Sequence, residues 1–137
     1  MRTLLFLLLL LLVSVQTNPE SLLGSYEHVI ENHLKQNITI RKVNAYEEIE
    51  HRWRDGKWVL KCRYIGKWWV DGDTLFLKPL RVVWNTKEIT VCRDQDDSDQ
   101  PGCCYKIDYF YDDKSIWNFG PISKAKYVHN KIQTKEK

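Results

Sequence analysis

Two hydrophobic periods run along the chain, and the first covers little more than a dozen residues. Leu22, Tyr26, Val29, Ile30, His33 and Leu34 recur at spacings of three and four, with Glu27, Glu31, Asn32 and Lys35 filling the other side. That spacing predicts an amphipathic helix with Ser25 as its N-cap, ending near Gln36-Asn37. From Ile38 onward the period is two. Extended runs are predicted over 38–43, 46–54 and 57–65, with Asp55-Gly56 as a hairpin turn between the last two. Gly66 interrupts the pattern. Further strands follow over 67–70, 74–77 and 80–84, with Pro79 marking an edge or a bend because it cannot donate to a ladder. The runs 87–92, 103–111 and 116–119 complete the set.

One helix followed by six or seven strands on short polar turns predicts an α+β fold, with the helix packed on one face of an antiparallel sheet. The alternative is a small β-barrel with an N-terminal helix, whose aromatic faces line a cavity.

Before the first period stands a different segment. Met1-Arg2 is followed by an apolar run over Leu4–Val13 and then by Ser14-Val15-Gln16-Thr17-Asn18. The run is too short to span a bilayer and fits the apolar region of a secretory signal peptide, with cleavage between 14 and 18. The expected organisation is therefore a signal peptide at 1–17, one disulfide-stabilised domain at 18–122 and a basic, loosely held tail at 123–137. Secretion into an extracellular, oxidising compartment follows from the same reading, with no membrane span in the mature part.

That compartment gives meaning to Cys62, Cys92, Cys103 and Cys104. An even count of cysteines reads as two disulfides. A bond between the adjacent Cys103 and Cys104 would close a strained ring, so Cys62 and Cys92 are expected to take one each, in either order. Zinc is not expected, because neither Cys-x-x-Cys pairs nor neighbouring histidines are present. Asn37-Ile38-Thr39 is an N-glycosylation sequon.

The candidate chemistry is thin. His28 and His33 are five apart and do not share a helix face, and His28 and His129 lie at opposite ends of the chain. An acid–base pair of the secreted ribonuclease kind is thus not expected, and neither is a nucleophile motif such as Gly-x-Ser-x-Gly. The run Asp94-Gln95-Asp96-Asp97-Ser98-Asp99 offers carboxylates suited to calcium, but position six lacks the glycine and position twelve the glutamate of an EF-hand. No catalytic residue, metal or cofactor is assigned, and the protein is not expected to be an enzyme.

Aromatic residues are plentiful instead: six Trp, seven Tyr and four Phe in 137 residues. Most fill a core. Within a strand, however, Trp68 and Trp69 must face opposite ways, so one of them lies outside it. Trp58, Trp68, Trp69 and Arg63 are the candidate binding residues, an aromatic and basic set suited to an extracellular protein, a glycan or a small apolar ligand. The net charge of +3 and the compartment argue against nucleic acid.

In element order, and in Cys104-Tyr105-Lys106-Ile107-Asp108-Tyr109, the middle of the chain resembles the secreted cystatins. Their inhibitory Gln-x-Val-x-Gly loop is replaced by Arg54-Asp55-Gly56-Lys57, and Cys62 lies too early for their disulfides, so the resemblance implies a fold and not inhibition. The function expected is that of a secreted, non-enzymatic binding or interaction protein. The alternative is an extracellular carrier of a small apolar ligand in an aromatic-lined cavity, followed by a divergent protease inhibitor or a small hydrolase.

Overall fold

The computed structural model describes residues 20–95, 102–120 and 124–133. The expected signal peptide and positions 96–99 of the acidic run lie outside them. Among the described residues the chain forms nine strands: β1 (Gly24–Ile30), β2 (Leu34–Arg41), β3 (Ala45–Arg54), β4 (Lys57–Asp71), β5 (Thr74–Trp84), β6 (Ile89–Val91), β7 (Ile107–Tyr111), β8 (Ser115–Phe119) and β9 (Lys126–Lys131). Helical structure is confined to two 3-10 turns, Glu20–Leu22 and Gly102–Cys104.

All pairings are antiparallel. The sheet runs β4-β3-β2-β1-β9-β8-β7-β5-β6, and β4 also pairs with β5, which closes it into an eight-stranded barrel. The count is eight because β6 and β7 lie end to end along β5, against Arg81–Val83 and Thr74–Leu77 respectively. The α+β expectation is overturned: the barrel of the alternative is present, without the helix of either reading. The likeness to cystatins goes with that helix.

The reason lies in the hairpin geometry of β1 and β2. Tyr26 pairs with Ile38 and Ile30 with Leu34, around a turn in which Asn32 takes φ 56°. Positions 26, 30 and 34 are four apart, so they share a face in a helix and also share the inner face of this hairpin. The intervening inward residues, His28 and Gln36, are polar and hide the period of two.

One end of the barrel is packed solid. Leu22, Tyr26, Ile38, Ile40, Tyr46, Trp68, Leu75, Leu77, Tyr109 and Ile116 form a continuous buried cluster there. Leu22, from the 3-10 turn before β1, plugs that end, and the Tyr26 hydroxyl donates to its carbonyl at 2.8 Å. Gly66 allows β4 to pass β5 at a bulge, since a Cβ there would overlap the Lys78 carbonyl oxygen and crowd the Tyr46 ring.

Two further expectations change. Only one disulfide forms, Cys92–Cys104, with Cα atoms 5.4 Å apart. It ties the end of β6 to the turn that leads into β7. Cys62, inward on β4, and Cys103, which faces the open half of the barrel, keep their thiols. The stretch from 123 onward, expected to be loosely held, supplies β9, which pairs with β8 from Ser115↔Asn130 to Phe119↔Lys126 and with β1 at Tyr26↔Lys131. Its inward residues are Tyr127 and His129, so the strand has no apolar period to announce it.

Candidate functional site

The other half of the barrel is not filled. A cavity of about 580 Å³ opens there, bounded by Ile30 and Leu34 at the β1–β2 turn, by the end of β8 up to Gly120, and by Gly102 and Cys103. Its size is that of a pocket for a small organic molecule.

Strand register builds a polar belt around this cavity. Cys62 on β4 pairs with Glu50 on β3, Glu50 with Gln36 on β2, and Gln36 with His28 on β1. His129 on β9 continues the belt, its ring centroid 5.1 Å from that of His28. One step toward the packed end, Tyr64, Glu48, Ile38 and Tyr26 form the next layer in the same register. The belt thus stands on the aromatic and apolar floor, with Tyr105 and Tyr127 along the upper wall.

The hydrogen bonds within the belt fix its polarity. A carbonyl only accepts, so His28 Nδ1 donates to the Val128 carbonyl at 2.9 Å. His129 Nε2 donates to Gln36 Oε1 at 3.2 Å. In neutral rings, the remaining His28 Nε2 and His129 Nδ1 carry lone pairs, and both are buried without a partner. The edge of the His129 ring also meets the Tyr109 ring, at 5.8 Å between centroids.

Burial decides the charges. Glu48 is 7% exposed, and its carboxyl is pushed up to about 8, first by desolvation and then by the neighbouring Glu50, against a smaller opposing pull from Lys61. His129, 2% exposed, is pushed down to about 4 by desolvation and then by His28. Tyr109 is held well above the usual phenol range by burial and by Glu48. Glu50 differs: it holds an ion pair with Lys61 at 2.9 Å. Near pH 7 Glu48 is therefore mostly a neutral acid and His129 a neutral base.

The candidate binding residues named from sequence do not come together. Trp68 is 3% exposed in the packed end, and its Nε1 donates to the Arg41 carbonyl at 2.8 Å, so its role is structural. Trp69 lies on the outer wall, stacked on Phe76 with centroids 5.3 Å apart. Trp58 packs edge-on against Trp53 at the β3–β4 hairpin, and Arg63 is exposed on the outside of β4. Asn37 also faces outward, from within β2, and its Nδ2 donates to Glu27 at 3.0 Å. Asp94, at the start of the acidic run, forms an ion pair with Lys67.

An aromatic stripe continues on the outer wall, with Phe110 against both Trp117 and Phe119, and with Lys126 over the Trp117 ring. The residues that line the cavity were missed because His28 and Gln36 were placed on a helix and His129 in a tail. Strand parity was the available signal: 26, 28, 30 on one strand and 127, 129 on another fall on alternate positions.

Among the described residues no group of three or more His, Cys, Asp or Glu is arranged to hold a metal ion, and no helix is long and apolar enough to cross a membrane. No family model, curated protein or solved structure matches the chain.

Proposed function

We propose that this is a secreted binding protein that holds a small organic molecule in the open half of its barrel and releases it unchanged. The observation that carries this reading is the cavity of about 580 Å³, in which aromatic walls surround a belt of buried polar groups. A cavity with aromatic walls offers a ligand apolar contact, and the belt gives it a fixed orientation. The ligand is therefore amphipathic rather than wholly apolar. His28, His129 and Glu48 serve as hydrogen-bonding groups toward it, each set by strand register rather than by a flexible loop.

Secretion rests on the signal-like segment at 1–17 and agrees with a disulfide at Cys92–Cys104. Native mass spectrometry of the protein secreted by a eukaryotic host tests the reading. The expected result is a co-purifying small molecule, or an added one, that is lost when the barrel unfolds and is no longer retained when Tyr109 is replaced by Trp to fill the cavity. A protein that stays in its bare mass against every small molecule offered would shift the function to the outer stripe of Phe110, Trp117 and Phe119, and to a macromolecular partner.

A further inference from the structure

We infer that the cavity takes a small organic cation, a protonated amine whose ammonium group sits against Glu48 and Glu50 while its remaining donors meet the wall formed by His28 and His129. This rests on the luminal-binding reading above and names the ligand class for it.

The first argument is the count of acceptors. The N–H that each histidine ring donates is already taken, by the Val128 carbonyl and by Gln36, so this wall holds no ring N–H free for an anion. The carboxyl groups on β3 add further acceptors to the same cavity. A ligand rich in N–H groups satisfies such a wall, whereas a carboxylate or phosphate would face lone pairs with its own.

Charge is the second argument. Lys61 is engaged with Glu50 at 2.9 Å, and among the described residues Glu48 has no ion-pair partner of its own. Among the described residues the only cation acting on Glu48 is Lys61, which is spent on Glu50 and offsets the burial cost of the second carboxyl only in part; a ligand cation removes the rest of that cost. The third argument is the tyrosines. Tyr64 stands opposite Glu48 in the β3–β4 register and Tyr109 acts on the same carboxyl from β7, so an ammonium ion at the carboxyls has aromatic rings beside it.

A balanced proton step follows. Glu48 is held neutral by burial, facing Glu50 and Tyr46 on its own strand, Lys61, Cys62 and Tyr64 on β4, and Tyr109 on β7. When the ammonium ion arrives, Glu48 ionises against it and its proton leaves to solvent. Binding near pH 7 therefore releases close to one proton.

The test is calorimetry on the secreted protein with three probes that share a ring: 2-phenylethylamine, 2-phenylethanol and phenylacetate. Buffers of different ionisation enthalpy count the protons, and a neutral apolar fluorescent reporter, N-phenylnaphthylamine, monitors entry to the cavity. The amine is expected to bind at least about tenfold tighter than the alcohol, to release a proton and to displace the reporter. Glu48→Gln, with its fold checked by circular dichroism, is expected to lose both the preference and the proton release. If that variant fails to fold, proton release by the unaltered protein decides the matter. An amine that binds no tighter than the alcohol, or without proton release, overturns the cation while the reporter's entry keeps the cavity reading. Exclusion of reporter and probes alike overturns both.

Discussion

Glu48 and His129 sit in the same cavity and oppose one another in their effect on stability. The carboxyl of Glu48 is raised from 4.5 to about 8 by folding. Between those values the folded state holds a proton that the unfolded state has lost, so stability falls as pH rises. His129 is lowered from 6.5 to about 4, so between those values the unfolded state holds the extra proton and stability rises with pH. Each fully developed slope is about 1.4 kcal/mol per pH unit. The two offset one another between about 4.5 and 6.5, and above that the decline due to Glu48 stands alone up to about 8. Urea unfolding across this range is expected to show that decline in the native protein. In Glu48→Gln the decline is expected to be absent and the rise up to about 6.5 to be uncovered. Parallel profiles for the two proteins would show that Glu48 ionises as freely in the fold as outside it.

At the scale of elements, the long hairpins were legible in the sequence and the short polar ones were not. The β3–β4 hairpin announces itself through Asp55-Gly56, whose φ angles of 51° and 78° suit a two-residue turn, and through a period of two that sets Ile49, His51 and Trp53 against charged residues; the structure turns the charged face inward, burying Glu48 and Glu50 beside Tyr46. In β1, β2 and β9 the inward positions include His28, Gln36 and His129, and a polar residue at an inward site erases the hydrophobic period. The site was hidden for the same reason that makes it a site. The broken stave of β6 and β7 depends on a different device. Its two halves are separated by the segment between Cys92 and Cys104, twelve residues apart, and the disulfide holds that segment's ends together beside Val82. Replacing both cysteines by serine is expected to cost about 3 kcal/mol, the figure for closing a loop of this length. Chemical denaturation of the native and double-variant proteins measures it. A loss near zero would mean that the cluster of Cys62, Val82 and the neighbouring Tyr64 holds the stave without the bond.

At the scale of the whole molecule, closure is what makes a cavity possible. An open sheet of these strands would present two unpaired edges, whereas a barrel has none and encloses a volume between its walls. The closing stave is β9. It carries five register pairs with β8, it joins β1 at Tyr26 and Glu27, and it brings His129 to the cavity and Lys131 to the Ser21 carbonyl at 2.6 Å. Composition alone hides this, because a basic segment with three scattered apolar residues reads as a tail; its pairing depends on contacts about a hundred positions away in the sequence. Ending the chain at Gly120 is expected to leave β8 and β1 as bare edges and the His28 side of the cavity open to water. Such a chain should lose its cooperative thermal transition and aggregate. A synthetic peptide of residues 124–133 added during refolding is expected to restore both the transition and luminal binding, because an added strand can satisfy the two edges it left. Circular dichroism with and without the peptide reads the result. A shortened chain that melts cooperatively and still admits a ligand would mean that seven staves suffice, and that β9 covers a barrel already closed without it.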